Sequence, residues 1–206
     1  TPGKSGEPFQ QKNFRKIRDF RNRYLDKKIH VDGGINAELS FILRNMGVNA
    51  VVVGSYLLRQ EFIGSAMMKL RSNTGSEYRV SDFMLNRDES PAVKRNEYSF
   101  PQLLKVIDDY KLGFTNIVDE NDTLLGIASM ADIRKALLNH WPDLNQLRVE
   151  DVMNPHPALI HSNNSVYDML EYVKNLSFPV LFLPVIDEQG KLAGTVKFNN
   201  LIKGEL

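Results

Sequence analysis

The residue with the clearest capacity for chemistry is Asp32, which ends a predicted strand over residues 28–32. A carboxylate at a strand end can abstract a proton next to a carbonyl group or bind a divalent metal. An aspartate before Gly33 is also a common turn former, so the spacing alone leaves both roles open. His30 shares a strand face with Asp32, and we interpret it as a packing residue rather than a ligand.

Small residues follow both strands predicted in this region and favour a phosphate site. Glycines let backbone N–H groups come close to a phosphate, and βα architectures carry their sites at the carboxyl ends of strands. The same glycines can instead form tight turns. Together with the loop that contains Gly3 and Gly6, they make three small-residue loops in register, which favours a phosphate site over turns alone. The predicted phosphate-binding residues are Gly3, Gly6, Gly33, Gly34, Gly54 and Ser55.

Apolar periodicity predicts the elements that position these residues. An amphipathic helix over about residues 9–25 precedes the strand at 28–32, and Asn36 caps a second helix that Gly47 ends. The run 49–53 is apolar after Asn49 and predicts a strand buried on both faces. A last helix follows at about 63–70. Strands that alternate with helices predict βα units and a parallel sheet.

The first predicted helix is strongly basic. Residues 1–30 contain nine Lys or Arg against three Asp or Glu, which is compatible with a nucleic-acid or membrane-surface patch. We favour the interpretation that the basic side chains line the solvated side of an amphipathic helix. Its predicted buried face consists of Phe14, Ile17, Phe20, Tyr24 and Leu25.

The amino-acid composition limits the number of domains and the kinds of site and partner that this chain can have. With 206 residues, 42% hydrophobic and 25% charged, the chain has room for one large or two small globular domains. The absence of cysteine excludes disulfides and thiolate metal sites and fits a cytoplasmic location. A net charge of +1 argues against a general polyanion binder, and no apolar run approaches the roughly 20 residues of a membrane span. We therefore expect neither a nucleic-acid nor a membrane partner.

The first segment resembles a known enzyme family. Residues 1–9 (TPGKSGEPF), 31–36 (VDGGIN) and 53–55 (VGS) are together similar to the last third of ribulose-phosphate 3-epimerase. The resemblance implies part of a (β/α)8 barrel that interconverts two pentulose phosphates by proton transfer between two carboxylates around a divalent metal. It assigns Asp32 as catalytic acid/base and metal ligand, and the small residues as the phosphate site. One departure is Lys4-Ser5-Gly6, where the family usually has an aromatic residue and two glycines.

The same resemblance implies that much of the enzyme is missing. In the family, the other carboxylate and the metal-binding histidines belong to the first half of the barrel. We therefore expect this chain to be the C-terminal portion of its parent, inactive by itself and unable to hold the metal alone. Its half barrel should expose apolar strand edges and pair with another copy or with the missing half.

A duplication occupies the rest of the chain. VSDFM at 80–84 recurs as VEDVM at 149–153, and the run 117–126 recurs at 185–194, at offsets of 69 and 68. Each copy predicts a short strand, a helix (99–110; 165–175), a hairpin and a closing helix (131–138; 199–203). The predicted domains are residues 1–74, 78–140 and 147–206, with a linker at 72–76.

These repeats resemble a tandem pair of cystathionine-β-synthase (CBS) domains. The resemblance implies that Ser129 and Asp132 bind the phosphate and ribose of an adenine nucleotide, and a helix N-terminus favours anions. Ser-x-x-Asp is equally a helix-capping arrangement, so this role and nucleotide binding remain equal alternatives. In the second copy, Lys197 and Asn200 stand at the corresponding positions, where Lys197 can still attract phosphate.

The repeats also resemble the CBS pair that follows sugar-phosphate isomerases of the arabinose-5-phosphate type. The resemblances together predict a sugar-phosphate isomerase or epimerase whose CBS pair binds an adenine nucleotide and regulates or dimerises the enzyme. The expected partners are a sugar phosphate, an adenine nucleotide and a second copy of the chain. The alternative is a non-catalytic module for nucleotide sensing or dimerisation.

Overall fold

The computed structural model describes residues 7–71, 78–144 and 147–198. The chain divides into two compact units. The first comprises Thr1–Phe83, Asn164–Phe182 and Lys197–Leu206, and the second comprises Met84–Asn163 and Leu183–Val196. The predicted linker at 72–76, the predicted closing helix at 199–203, and Gly3, Gly6 and Asn200 lie outside the described residues. The domain boundaries proposed from the sequence stay predictions.

The described residues contain both helices and strands. The helices are α1 (Lys12–Arg23), α2 (Ala37–Asn45), α3 (Ser55–Leu58), α4 (Ile63–Arg71), α5 (Val80–Phe83), α6 (Phe100–Tyr110), α7 (Met130–His140), α8 (Val149–Val152) and α9 (Val166–Lys174). The strands are β1 (His30–Asp32), β2 (Ala50–Val52), β3 (Leu85–Asn86), β4 (Ala92–Lys94), β5 (Phe114–Val118), β6 (Leu124–Ser129), β7 (Ile160–His161), β8 (Phe182–Ile186) and β9 (Leu192–Lys197).

The βα units predicted for the first segment are present. β1 and β2 pair in parallel, with Asp32 opposite Val52. Asn36 caps α2 as predicted, because its side-chain oxygen accepts a hydrogen bond from the backbone N–H of Leu39 at 2.8 Å. The four-residue helix α3 was not predicted. Over residues 7–71, the described strands form a two-stranded sheet rather than a closed barrel.

The predicted buried face of α1 is only partly correct. Phe14 and Ile17 are buried, but Phe20 (42%), Tyr24 (44%) and Leu25 (75%) are exposed. The helix ends at Arg23, and Tyr24 leaves the helical conformation with φ −132°, so the last two apolar residues no longer continue the helical face. The Phe20 and Tyr24 rings instead contact each other, with centroids 5.0 Å apart.

Two basic residues of α1 make hydrogen bonds to backbone oxygens instead of lying free on the solvated surface. Arg18 is buried and donates to the backbone oxygen of Phe83 at 3.3 Å. Arg21 donates to the backbone oxygens of Leu25, Lys27 and Gly47, the last at 2.5 Å. The prediction of an entirely solvated basic side was therefore wrong for these two guanidinium groups.

The prediction that residues 49–53 are buried on both faces was also wrong. Ala50 and Val52 are exposed, Val52 by 54%. Val51 and Val53 point to the opposite face, where they border a cavity together with side chains of α2 and α4. Within residues 7–71, helices thus cover one face of this strand and leave the other open.

The second unit is built by exchange between the two sequence repeats. β3, from the first repeat, pairs antiparallel with β9 of the second, placing Asn86 opposite Gly194. Asn154, from the second repeat, bridges Ile127 on β6 of the first. The described strands of the repeats form one sheet in the order β3-β9-β8-β7 and another in the order β4-β5-β6. The duplication seen in the sequence is thus a structural one.

Two glycines at equivalent positions permit this exchange. A Cβ on Gly194 would lie 2.1 Å from the backbone oxygen of Leu85, and one on Gly126 would lie 2.5 Å from that of Asn154. Each glycine therefore receives the backbone of the other repeat at a distance that no side chain allows. The core beneath the β4-β5-β6 sheet consists of Leu103, Ile107, Ile117, Ala128, Ile133, Ala136, Leu147, Val149 and Val152.

Candidate functional site

The strand-end site predicted from the sequence has most of its residues at one edge of the β1–β2 sheet. Because the two strands are parallel, the residues that follow Asp32 and Val52 emerge at the same edge. Gly33 and Gly34 follow β1, while Gly54 is the N-cap of α3 and Ser55 is its first residue. The structure thus groups four of the six predicted phosphate-binding residues. The other two, Gly3 and Gly6, lie outside the described residues.

The three glycines of this edge differ in what surrounds them. Gly34 has φ +67°, and a Cβ there would lie 2.3 Å from the backbone nitrogen of Phe9 and 2.7 Å from the backbone oxygen of Glu7. Gly33 has φ +110° and, like Gly54, has open space where a Cβ would stand. The chain around Glu7–Phe9 therefore covers Gly34, whereas the other two glycines leave room for a ligand to approach the backbone.

The residues present at this edge do not fit a metal site. Asp32 and His30 are both exposed on one face of β1, which corrects the prediction that His30 is a packing residue. Among the residues that the structure describes, no group of three or more His, Asp or Glu side chains could hold a metal ion. One carboxylate and one imidazole do not bind a divalent metal usefully, so no step is assigned to a metal in this chain.

Ser129 and Asp132 form a complete capping box at the start of α7. The backbone N–H and the hydroxyl of Ser129 both donate to Oδ2 of Asp132, at 3.0 and 2.5 Å. The backbone N–H of Asp132 donates in return to the Ser129 hydroxyl at 3.3 Å. Within the described part of the chain, Oδ1 of Asp132 accepts no hydrogen bond. The capping role is therefore real, and it leaves one carboxylate oxygen for a ligand.

A matching capping box begins α9 in the second repeat. Ser165 donates its hydroxyl to Oδ2 of Asp168 at 2.7 Å, and these hydrogen bonds hold the pKa of Asp168 below its usual value. This box lies outside the motif predicted to bind nucleotide. Lys197, the second repeat's counterpart of Ser129, ends β9 with an accessible side chain. Partial desolvation lowers the pKa of its ammonium group.

The stretch over Ser90–Val93, which precedes and begins β4, is fixed to β5 by Asn116. Both the side-chain amide and the backbone N–H of Asn116 donate to the backbone oxygen of Pro91, at 2.8 and 3.1 Å. Asn116 is fully buried, and its Oδ1 has no hydrogen-bond partner among the residues that the structure describes. A buried acceptor without a donor is costly, so Asn116 is a candidate for contact with a polar ligand group.

Sequence reasoning missed Asn116. The available signal was a polar amide inside the otherwise apolar strand Phe114–Val118, since strands buried on both faces rarely carry an amide without a role. Its pairing with Pro91 depends on the parallel register of β4 and β5, in which Ala92 lies opposite Asn116. Local sequence patterns do not contain that register.

None of the helices in the described ranges combines the length and the apolar character that crossing a bilayer requires.

Two family models match the chain. Residues 1–58 match the model of the ribulose-phosphate 3 epimerase family, and residues 149–205 match the CBS domain model. The first match contains Asp32 and the glycines of the strand-end edge. The second contains Lys197 and the capping box of α9. The resemblances predicted from the sequence are confirmed at these two segments.

The chain also matches several curated proteins in sequence. The chain is 30% identical over 131 residues to an uncharacterized protein of Chlamydia pneumoniae and 30% identical over 128 residues to arabinose 5-phosphate isomerase KdsD of Francisella tularensis. Each alignment covers 62% of this chain but only 39% and 38% of the respective relative. The chain therefore spans about two fifths of the length of these relatives.

Among solved structures, CBSX2 from Arabidopsis thaliana, a CBS-pair protein, is 28% identical with a TM-score of 0.51, over 64% of this chain and 94% of that one. A crystal structure of CBSX2 in complex with AMP is 27% identical with a TM-score of 0.51, over 62% of this chain and 95% of that one. The chain thus joins a segment similar to ribulose-phosphate 3-epimerases to a region with the fold of a CBS pair.

Proposed function

We propose that this chain is the C-terminal portion of a cytoplasmic sugar-phosphate isomerase or epimerase, and that its CBS pair binds an adenine nucleotide and regulates or dimerises the enzyme. One observation carries the proposal: a segment that matches an epimerase family precedes a CBS region on the same chain. The 30% identity to an arabinose 5-phosphate isomerase supports the same substrate class. A cysteine-free sequence suits a reducing compartment.

In the epimerase-like segment, the proposed role of Asp32 is proton transfer at the carbon next to a carbonyl group. The exposed carboxylate at the end of β1 is accessible to a substrate. Open backbone at Gly33 and Gly54 would receive the sugar phosphate. Epimerisation needs a second acid/base on the opposite face of the substrate carbon, and that group would lie in the rest of the enzyme. The chain alone is therefore expected to be inactive.

In the CBS pair, the proposed nucleotide ligands are Ser129 and Asp132. Oδ1 of Asp132 can accept ribose hydroxyl hydrogen bonds while Oδ2 continues to cap α7. The Ser129 hydroxyl lies at the helix N-terminus, where an anionic phosphate is stabilised. Lys197 supplies a cation for a phosphate in the second repeat. The AMP complex of CBSX2 supports an adenine nucleotide as the ligand class.

The test is calorimetric titration of the chain with AMP, ATP and S-adenosylmethionine. The double variant Ser129→Ala/Asp132→Ala should lose binding. Its matched control is Ser165→Ala/Asp168→Ala, which removes the equivalent capping box from α9. Both variants lose a helix cap worth about 1 kcal/mol, so a general loss of stability affects both alike. Loss of binding in the first variant alone supports the proposal, and equal binding in both contradicts it.

A second candidate function is a non-catalytic module for nucleotide sensing or dimerisation. It is favoured by the alignment with 94% of CBSX2, a CBS-pair protein. Titration with ribulose 5-phosphate distinguishes the two candidates. Saturable binding that Asp32→Asn or Gly33→Val weakens supports the sugar-phosphate enzyme. Nucleotide binding without any response to the sugar phosphate supports the module.

A further inference from the structure

A cavity of about 440 Å³ that is open to solvent lies within the first unit, and none of the binding residues assigned above lines it. This volume falls in the range of small-molecule sites, which run from about 300 to 1,000 Å³. Faces of α2, β2, α3 and α4 form its wall. Neither Asp32 nor the glycines of the strand-end edge contribute to it, so it is separate from the proposed sugar-phosphate site.

The wall is mostly apolar because each element presents the side chains of one face. Val51 of β2 and Val53, the residue after the end of that strand, are two positions apart and both line the cavity. Met67 and Leu70 are three residues apart on α4 and share a helix face. Leu57 of α3 adds a fifth apolar side chain. Such a lining favours a ligand with a substantial apolar body.

The polar part of the lining comes from α2 alone. Ser40 and Arg44 are four residues apart, so the hydroxyl and the guanidinium lie on one face of the helix. Arg44 has an exposed side chain and makes no hydrogen bond or ion pair with any of the residues described over 7–71, 78–144 and 147–198. A guanidinium next to an apolar wall offers five donors to an anionic head group.

We propose that this cavity binds an amphipathic monoanion, a medium-chain carboxylate of the fatty-acid class. The alkyl chain would lie against Val51, Val53 and Leu57, and the carboxylate would pair with Arg44 and accept from Ser40. One cation and one hydroxyl suit a carboxylate, which takes a bidentate pair from arginine. The polar head and the apolar tail thus each meet matching groups on the same cavity wall.

The test uses sodium decanoate below its micelle concentration, titrated calorimetrically into the whole chain. Decanol is the neutral control of the same length. We expect saturable binding of decanoate and about two- to fivefold weaker binding of decanol, since an ion pair with an exposed side chain changes the affinity by about that factor. Because Arg44 is exposed, Arg44→Met should weaken decanoate by about two- to fivefold and leave decanol unchanged.

The matched control is Lys69→Met, which removes an exposed cation of α4 that does not line the cavity. It should change the affinity by about twofold or less. Val53→Phe should weaken both ligands alike by narrowing the part of the cavity where the alkyl chain would lie, which tests the location without touching the charge. Equal affinity for decanoate and decanol, or a decanoate affinity that Arg44→Met and Val53→Phe leave unchanged, would overturn the proposal, as would the absence of saturable binding.

Discussion

Replacing Gly194 by alanine tests the exchange of strands between the two repeats. The added Cβ would lie 2.1 Å from the backbone oxygen of Leu85 and 3.0 Å from the sulfur of Met84, whereas ordinary contact begins at 3.4 Å. The sulfur can move aside, but the oxygen belongs to the backbone of β3. The alanine therefore has to push β3 away from β9 by more than about 1 Å.

The cost follows from two contributions. Overpacking in a closely fitted interior costs about 1–3 kcal/mol. Separating β3 from β9 also weakens the pairing of two residue pairs, at about 1 kcal/mol for each hydrogen bond lost. With one hydrogen bond lost for each pair, we expect Gly194→Ala to lower the free energy of unfolding by about 3–5 kcal/mol in total. Gly126→Ala, whose nearest backbone atom would be 2.5 Å away, should cost somewhat less.

The assay is urea denaturation followed by circular dichroism and by the fluorescence of Trp141, the only tryptophan, which lies in the same unit as Gly194. Gly64→Ala is the control, because a Cβ there meets nothing within 4 Å and the residue lies in α4. It should raise stability by about 0.5 kcal/mol. If Gly194→Ala unfolds within about 0.5 kcal/mol of the wild type, the close approach of β3 to β9 is refuted.

Three further substitutions test other contacts. Ser129→Ala should lower stability by about 1 kcal/mol without any nucleotide, because it removes the cap of α7; an unchanged melting temperature would contradict this. The hydrogen bond from Arg87 lowers the pKa of Asp122, so this pair stabilises the fold above the ordinary carboxyl pKa, and the contribution is lost as pH falls through the lowered value. Asp122→Asn should therefore reduce stability at neutral pH and make it less sensitive to acid below about pH 4, as measured by denaturation across pH; parallel pH curves would refute it. Gly34→Ala should destabilise by at least about 2 kcal/mol in urea, against about 1 kcal/mol for Gly33→Ala, because both have positive φ but only the former would meet a backbone nitrogen at 2.3 Å; equal effects would contradict the contact.

Much of the fold was predictable because it depends on local chemistry. Asn36 predicted the start of α2, since an amide oxygen bonds the backbone N–H three residues ahead. The repeated VSDFM and VEDVM segments predicted a duplication, and both became short helices, α5 and α8. The family matches at residues 1–58 and 149–205 confirm the resemblances drawn from these motifs.

The features that were missed depend on contacts distant in sequence. Phe20 has helical spacing from the buried Phe14 and Ile17, but periodicity does not say where the neighbouring elements stop covering a helix. The exposure of Val52 was missed for the same reason. An apolar strand sequence predicts burial whether or not neighbouring elements cover both faces of the strand. The ligand roles of Asp32, Ser129 and Lys197 remain predictions, since the geometry shows where these groups lie but not what they bind.

The pairing of β3 with β9 also affects how the chain folds during its synthesis. Asn86 leaves the ribosome 108 positions before Gly194, its partner across the β3–β9 pair. At about 5–20 residues per second, the nascent first repeat waits on the order of 5–20 s for that partner strand. During this interval β3 has an unpaired edge, which other nascent chains can join. Ribosome pausing between the repeats, or slow codons there, would lengthen the exposure, whereas a circular permutation that brings β3 next to β9 would remove it.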